Sequence, residues 1–352
     1  MLKVITGAGI ELVFLQSFDL ILFMQEFIHH DFSFDPRYGY DEAALRDIQA
    51  PDTTARDFEA FWRNLHAQAM GDVPLNLFVE EMDCPWPGLI LEQCTYSVWP
   101  NYRVGAWLLR PDNDKLPELG VVVGHGYGGR EAPEPGRGGL DRATLFPVAP
   151  GFHISPDPRL PHNDSQKHVI HGIESHKRYI LGTCAAAFWR AADVLEELFA
   201  GPLPHLHYVG WSFGGGLGAL MLPWEPRYQS AELGQVTFAN HPFRLRHDCV
   251  GSGSAVRERW LAHPNIEETL CYYDAANSLR HLRIPTAFAC ALFDPSVPPP
   301  GQWSAANAHP GPKVISSYPV GHFDYNHPDQ VRAEREHQRR VTEFFGFPGL
   351  LA

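Results

Sequence analysis

The sequence predicts an α/β fold, with a mostly parallel central sheet and helices on both faces. The composition is that of a globular chain, since 44% of the 352 residues are hydrophobic and 20% are charged. Short apolar runs of strand length alternate with longer segments of helical periodicity, a pattern typical of parallel sheets with helical crossovers. Several apolar runs end directly in glycine-rich or polar loops, which is where ligands bind in such sheets.

The first element is a helix predicted over residues 52–69. Four apolar residues fall on one face of this helix, at the spacing i, i+3, i+4 and i+7: Phe58, Phe61, Trp62 and Leu65. Two apolar runs follow at residues 89–98 and 102–110. The short link between them predicts an antiparallel pair of strands.

The remaining elements alternate along the chain. Further strands are predicted at residues 121–123, 145–149, 206–210, 286–293 and 314–318. Further helices are predicted at residues 179–199, 215–222 and 328–345. Strands joined through helices lie parallel, so their carboxyl ends should meet at one edge of the sheet.

Residues 51–352 are predicted to form a single domain, preceded by an N-terminal extension over residues 1–50. The apolar segment 5–23 is interrupted by polar residues and fits a signal peptide or a membrane span poorly. Met24 offers an alternative start, and the residues before it would then be a start-site artefact. The sequence leaves both alternatives open.

The net charge of −13 argues against two classes of partner. Phosphate backbones and anionic membranes repel an acidic surface, so neither nucleic acid nor a membrane is expected as a partner. The six cysteines form no C-x-x-C pair and no dense framework. Reduced cysteines, and with them a cytoplasmic location, are therefore expected.

The clearest motif is the G-x-S-x-G run at residues 210–214, between a predicted strand and a predicted helix. A serine on a sharp strand-to-helix turn needs small neighbours, because the flanking chain packs closely around it. The N-terminus of the following helix also favours developing negative charge. This context predicts that Ser212 is a nucleophile.

A serine hydroxyl needs a base, and the base needs an orienting acid. After a strand-to-helix nucleophile the acid comes next along the chain and the histidine last. Asp294 follows an apolar strand and His322 follows the next one. Each alone is typical of an ordinary loop. Their joint placement at the sheet edge of Ser212 predicts a catalytic triad of Ser212, Asp294 and His322.

Negative charge on a substrate carbonyl must also be bound. The predicted donors are the backbone N–H groups of Phe213, which follows the nucleophile, and of Tyr127, in the glycine-rich loop 124–129. The loop lacks the G-x-x-x-x-G-K-[ST] phosphate motif, and no cofactor is expected. His125 precedes the nucleophile, so a structural role is favoured for it over that of a base.

Several histidines cluster between residues 153 and 176, and His168 and His171 could share a helix face. No H-x-x-x-H or carboxylate pattern accompanies them. No metal site is therefore expected.

With these pieces in place, the chain resembles the acetyl xylan esterase / cephalosporin C deacetylase family of α/β hydrolases, as an outlying member. The segments that carry the resemblance are 57–62, 105–111, 125–129, 210–216, 272–277, 294–299 and 321–322. The resemblance implies the α/β-hydrolase fold, removal of acetyl groups from sugars and related alcohols without a cofactor, and homo-oligomers. Matching positions imply the triad Ser212, Asp294 and His322, with Tyr127 and Phe213 lining the oxyanion hole.

Two departures from the pattern of that family concern the pocket. The family usually has Arg-Gly-Gln after the strand that follows the His-Gly-Tyr loop, whereas residues 146–154 here keep a glycine and have neither Arg nor Gln. Phe213 stands where the family usually has glutamine.

The sequence therefore predicts a serine esterase, a carboxylic ester hydrolase of the acetylesterase or deacetylase type. Its expected partner is a small ester with a short acyl group, including acetylated sugars. The alternatives are a peptidase, an amidase or another small-ester hydrolase on the same fold, and a non-catalytic binding protein with this scaffold. Peptidases usually carry an appended domain, and binding proteins usually lose a triad member. Labelling by a fluorophosphonate would separate a hydrolase from a binding protein.

Overall fold

A computed structural model describes residues 28–113 and 115–350. Residues 34–350 belong to one compact unit, and residues 28–33 belong to a separate unit in which they form irregular chain. The apolar segment 5–23 and Met24 lie outside the described residues, and the domain start at residue 51 stays a prediction. No helix among the described residues has the length and apolar character needed to cross a bilayer.

The compact unit is built on a central sheet. Its described strands are β1 (Phe78–Met82), β2 (Leu89–Val98), β3 (Tyr102–Pro111), β4 (Leu119–Val123), β5 (Arg142–Pro147), β6 (His205–Trp211), β7 (Ser230–Gly234), β8 (Thr286–Ala291) and β9 (Lys313–Tyr318). Their order across the sheet is β1-β2-β3-β5-β4-β6-β7-β8-β9. The pairs from β5 to β9 are parallel, and β1, β2 and β3 form an antiparallel edge. The predicted mostly parallel sheet is confirmed.

Along the chain, α-helices fill the connections from β5 to β9 and also lie before β1 and after β9. The described α-helices are α1 (Glu42–Asp47), α2 (Phe58–Gly71), α3 (Ser165–Val169), α4 (Ile180–Leu198), α5 (Phe213–Met221), α6 (His241–Arg244), α7 (Ser252–Ala262), α8 (Glu267–Leu270), α9 (Ala275–Leu279), α10 (Pro299–Ala308) and α11 (Gln330–Phe345). Short 3-10 turns lie at Pro135–Arg137, Leu222–Trp224 and Pro264–Ile266.

Strand β6 shows how both faces of the sheet are covered. Successive side chains of a strand point to opposite faces. The ring of Tyr208 meets Phe188 of α4 at 6.1 Å, whereas the ring of His207 meets Phe345 of α11 at 5.2 Å. Helices α4 and α11 therefore cover opposite faces of the sheet, as predicted.

The first predicted helix begins later than expected, at Phe58 rather than at residue 52. Three of its four predicted apolar residues are buried, and Phe61 is partly buried against the ring of Tyr272 at 4.9 Å. The antiparallel pair β2 and β3 is confirmed.

Strands β1 and β7 were not predicted. Most of β1 is exposed at the edge of the sheet, and β7 carries polar residues although it is fully buried.

Candidate active site

Ser212 lies on the turn between β6 and α5. Its backbone has φ 56° and ψ −113°, a conformation that is strained for any residue with a side chain. Two hydrogen bonds hold this turn: the N–H of Ser212 donates to the carbonyl of Gly234 at 2.9 Å, and the N–H of Gly216 donates to the carbonyl of Ser212 at 2.8 Å. The turn carries the Ser212 side chain at the carboxyl end of the strand, beside the start of a helix.

Close packing explains the two glycines of the motif. A Cβ atom on Gly210 would lie 2.4 Å from the carbonyl oxygen of Gly214. A Cβ atom on Gly214 would lie 2.8 Å from the backbone of Gly124. Helix α5 can therefore start directly against β6 and the loop after β4 only because both positions lack a side chain.

The structure brings the three predicted triad side chains together. The hydroxyl of Ser212 lies 2.8 Å from Nε2 of His322, and Nδ1 of the same ring lies 2.8 Å from Oδ2 of Asp294. The side chain of His322 is 26% exposed, whereas that of Asp294 is fully buried. This arrangement can pass a proton from the serine to the imidazole while the carboxylate fixes the ring.

The pKa of His322 is set by two opposing effects. Burial lowers the pKa of the ring, but the charge of Asp294 and its hydrogen bond to the ring raise it by more. The net result is a pKa above the ordinary histidine value. The pair is thus arranged to stabilise the imidazolium that forms when His322 accepts a proton.

Asp294 is itself held on both oxygens. Its Oδ1 accepts the backbone N–H groups of Ser296 and Val297, each at 2.9 Å. Its Oδ2 accepts the side-chain amide of Gln302 at 2.9 Å, in addition to His322. Together these hydrogen bonds fix the orientation of the Asp294 carboxylate.

Gln302 is a functional candidate that the sequence analysis missed. It lies fully buried on α10, and its Oε1 accepts the backbone N–H of Ala291 at the end of β8 at 2.8 Å. Helix α10 was not predicted, and a single glutamine eight residues after the aspartate belongs to no motif. The structure gives it the role of a positioning residue for Asp294.

The two residues predicted to supply the oxyanion donors have their side-chain rings side by side. Within the described chain, neither the N–H of Phe213 nor that of Tyr127 donates a hydrogen bond. Their rings stack with centroids 4.2 Å apart and planes 27° apart. Both N–H groups are therefore free to bind a substrate oxygen, as an oxyanion hole requires.

His125 fixes the loop that carries Tyr127. Its Nδ1 donates to the carbonyl of Gly126 at 2.7 Å, and its Nε2 accepts the N–H of Ala149 at 2.9 Å. Burial lowers the pKa of this ring to about 3, and the charge of Arg130 lowers it as well. The ring stays neutral and ties the loop to the chain that follows β5.

Arg130, which the sequence analysis did not single out, contacts the chain where the same loop begins. It donates to the carbonyl of Val123 at the end of β4 at 2.7 Å and forms an ion pair with Glu134 at 2.6 Å. Its guanidinium group lies 5.0 Å from the ring centroid of Phe146. An arginine close in sequence to the oxyanion loop thus stabilises the end of β4.

The segment 146–154, which lacks the Arg-Gly-Gln of the family pattern, packs on this loop. Phe152 is fully buried, with its ring 5.6 Å from His125 and 4.8 Å from His168. Nε2 of His153 lies 3.2 Å from the carbonyl of Gly128. A buried aromatic ring and an imidazole therefore contact the oxyanion loop here.

The clustered histidines have separate partners. His168 donates to the carbonyl of Pro150 at 2.9 Å, and His176 stacks on Tyr272 at 4.3 Å. In the part of the chain that the structure describes, no group of three or more His, Cys, Asp or Glu residues is arranged to hold a metal ion.

Comparison with known proteins gives the family. The family model described as acetyl xylan esterase (AXE1) matches residues 42–243, more than half of the chain. The chain belongs to the acetyl xylan esterase family. It is accordingly a carboxylic ester hydrolase, as the resemblance implied.

Two solved structures show the same fold. The acetyl xylan esterase from Paenibacillus sp. R4 is 21% identical, with a TM-score of 0.76 over 87% of this chain and 100% of that chain. Acetyl xylan esterase 1 from Thermoanaerobacterium sp. JW/SL YS485 is 16% identical, with a TM-score of 0.72 over 86% of this chain and 98% of that chain. The predicted α/β-hydrolase fold is confirmed.

Proposed function

We propose that this member of the acetyl xylan esterase family hydrolyses short-chain esters, foremost acetyl esters, through an acyl-enzyme on Ser212. The observation that carries the proposal is the pair of 2.8 Å hydrogen bonds from Ser212 through His322 to Asp294. They start at a strained serine between a strand and a helix, where a nucleophile is accessible.

In the first half of the reaction, Nε2 of His322 takes the proton of the Ser212 hydroxyl as its oxygen attacks the ester carbonyl. The N–H groups of Tyr127 and Phe213 bind the oxygen that becomes negative. His322 then gives the proton to the departing alcohol, which leaves an acyl group on Ser212.

In the second half, water replaces the alcohol. His322 takes a proton from the water as it attacks the acyl-enzyme, and returns the proton to Ser212 as the acid leaves. Asp294 stabilises the imidazolium in both halves. Apart from the ester and the water, these steps use only the triad and the two backbone N–H groups.

The family and the names of the two similar enzymes support acetyl as the acyl group and a sugar as the alcohol. We also propose that the enzyme works in a reducing compartment such as the cytoplasm. This is supported by six free cysteines, four of which are buried.

The proposal is tested with p-nitrophenyl acetate, butyrate and octanoate. We expect kcat/KM to fall as the acyl chain lengthens, and Ser212→Ala to abolish turnover of all three esters, a loss of about 10⁶-fold. A fluorophosphonate should label the wild type and leave the variant unlabelled.

Ser230→Ala is the matched control, because this serine also contacts an imidazole, at 2.7 Å from His207, but is buried within the sheet. It should keep both turnover and labelling. Turnover that survives Ser212→Ala, or labelling lost in Ser230→Ala alone, would show that the nucleophile is misassigned.

A further inference from the structure

Arg244, at the end of α6, is a buried cation without a carboxylate partner in the described chain. Four described arginines are more than nine-tenths buried: Arg130, Arg142, Arg190 and Arg244. The first three form ion pairs with Glu134, Asp141 and Asp193, respectively. Burial of an unpaired guanidinium group is costly, so Arg244 is the exception that needs an explanation.

In the described chain, the one side-chain hydrogen bond of Arg244 is with a neutral group. Its Nη1 lies 3.5 Å from Nδ1 of His241, whose Nε2 donates to the carbonyl of Tyr273 at 3.1 Å. Burial lowers the pKa of His241 to about 4, so this ring carries no charge that could balance Arg244 at neutral pH. Nε of Arg244 is buried and has no hydrogen-bond partner in the described chain.

A second buried polar atom without a partner in the described chain is the phenol oxygen of Tyr127. Burial raises the pKa of this phenol well above its usual value, Tyr179 and Cys184 raise it further, and Arg244 is close enough to oppose the rise. Unpartnered donors at buried positions are rare in folded proteins, and each such group calls for an explanation such as a bound ligand.

Both groups border the proposed active site. The guanidinium carbon of Arg244 lies 5.8 Å from the ring centroid of Phe238, and that ring meets Phe213 edge-on at 6.1 Å and Tyr127 edge-on at 6.3 Å. Arg244 is therefore one aromatic ring away from both oxyanion residues.

On its other side, Arg244 faces the loop of the triad aspartate. A Cβ atom on Gly253 would lie 3.3 Å from Nη2 of Arg244 and 3.5 Å from the carbonyl oxygen of Ser296. Ser296 follows Asp294 by two residues and binds its carboxylate. The guanidinium group is thus close to the loop of Asp294 and, through the ring of Phe238, to the oxyanion residues.

We propose that Arg244 and the hydroxyl of Tyr127 form a carboxylate-binding subsite beside Ser212, so that the preferred substrates are esters that carry a carboxylate group. Guanidinium groups bind carboxylates through two parallel hydrogen bonds, and a phenol adds a third donor. The net charge of −13 repels anions at a distance, so selection of an anionic ester requires a local cation of this kind. The inference rests on the proposed esterase function.

The carboxylate can belong to the acyl group or to the alcohol, and two substrate pairs distinguish these sources. In the first pair, monophenyl succinate carries the carboxylate on its acyl group, and phenyl pentanoate is its neutral counterpart. In the second pair, 3-acetoxybenzoate carries the carboxylate on its alcohol part, and its methyl ester is the neutral counterpart. We expect the anionic member of one pair to be preferred by the wild type, measured as kcat/KM from the release of acid.

Arg244→Leu should lower the preference for the anionic ester by about tenfold to a hundredfold, because a hydrogen-bonded charge is lost. The kcat/KM for the neutral esters should change little. Tyr127→Phe should lower the preference by a smaller factor. Arg246→Leu is the matched control, since it removes the same charge only two residues along the chain. The side chain of Arg246 is exposed and donates to the carbonyl of Pro242. Arg246→Leu should leave the preference unchanged.

Two results would overturn the subsite. One is equal treatment of both members of each pair by the wild type. The other is an equal loss of preference in Arg244→Leu and Arg246→Leu, which would indicate a general electrostatic effect. If Arg244→Leu does not fold, competitive inhibition of the wild type by succinate or 3-hydroxybenzoate decides, since absence of inhibition by both contradicts the subsite. Wild type inactive on every ester would instead refute the proposed function.

Discussion

In the described chain, hydrogen bonds join a serine, a histidine and a carboxylate in two places. One lies at the carboxyl ends of the strands, and the other lies on two neighbouring strands within the sheet. The edge set consists of Ser212, Asp294 and His322. The inner set consists of His207 on β6 with Ser230 and Glu232 on β7. In the inner set, Nδ1 of the ring lies 2.7 Å from the serine hydroxyl and Nε2 lies 3.2 Å from the carboxylate.

The two sets differ in access and in what surrounds them. The residues of the inner set are at most 2% exposed, whereas His322 is 26% exposed. The edge serine follows its strand on a strained turn, directly before the free N–H group of Phe213, whereas the inner serine begins a paired strand. These three residue types can act as a catalytic site only where a substrate can reach them and its oxyanion can be bound.

The inner set has a structural role instead. Glu232 accepts the backbone N–H of Leu350 on both carboxylate oxygens, at 2.8 and 3.0 Å. Burial would raise the pKa of this carboxyl, but the hydrogen bond and charge of His207, with the N–H of Leu350, lower it by more. The ionised carboxylate therefore anchors the segment after α11 to the sheet.

The largest expected difference between the sets comes from neutralising each carboxylate. Asp294→Asn should lower kcat for p-nitrophenyl acetate by about 10⁴-fold, because the imidazolium loses its counter-charge and the ring its correct tautomer. Glu232→Gln should leave kcat unchanged and lower the free energy of unfolding by about 1–3 kcal/mol, measured in urea.

The pH dependence of stability adds a control for Glu232. Because its folded pKa is lowered, the carboxyl stabilises the protein above the ordinary value of 4.5, and this contribution is lost as the pH falls through the folded pKa. Glu232→Gln should lack that acid-dependent part. Loss of activity in Glu232→Gln comparable to that in Asp294→Asn would mean that the inner set is not merely structural.

A smaller effect is expected from Gln302, which supports the carboxylate of the edge set. Gln302→Leu removes one donor from Asp294 and should lower kcat by about tenfold to a hundredfold. With one donor fewer, the carboxylate attracts the imidazole proton more strongly, so the pKa of His322 should rise and the acid limb of kcat/KM should move to higher pH.

Ser304→Ala is the control for Gln302, because Ser304 is buried on the same helix and donates to the carbonyl of Pro300 rather than to Asp294. It should change neither kcat nor the acid limb. An acid limb that stays in place in Gln302→Leu would assign Gln302 to the packing of α10 alone.

The smallest effect concerns the wild-type pH profile. Only neutral His322 can act as a base, and Asp294 holds its pKa above the ordinary 6.5, so the acid limb of kcat/KM should have its midpoint above 6.5. The raised pKa also stabilises the fold below the ordinary value, and this contribution is lost as the pH rises through the folded value. In Asp294→Asn only burial remains, and the midpoint should fall below 6.5. A limb that does not move would contradict this coupling.

The sequence predicts the edge set and misses the inner set for a physical reason. Glycines mark Ser212 because the chain packs closely around the turn, and Asp294 and His322 directly follow apolar strands. Strand β7 alternates polar and apolar residues, but such alternation predicts a half-buried strand with its polar side chains in solvent, whereas Ser230 and Glu232 are buried.

Residues that act through a distant partner are missed in the same way. Gln302, Arg130 and Arg244 belong to no motif, and their roles depend on contacts that only the folded chain creates. The position after the nucleophile and the glycine-rich loop predict the oxyanion residues but not the groups that hold them.

The neutral imidazole of His125 has a consequence for how the enzyme responds to acid. Its pKa of about 3, and that of His168 at about 4, lie well below the range in which His322 takes up its proton. The oxyanion loop therefore keeps its conformation in the pH range in which protonation stops His322 from acting as a base. Acidification should stop turnover by a single protonation, with a logarithmic slope of one, and return to neutral pH should restore it without delay.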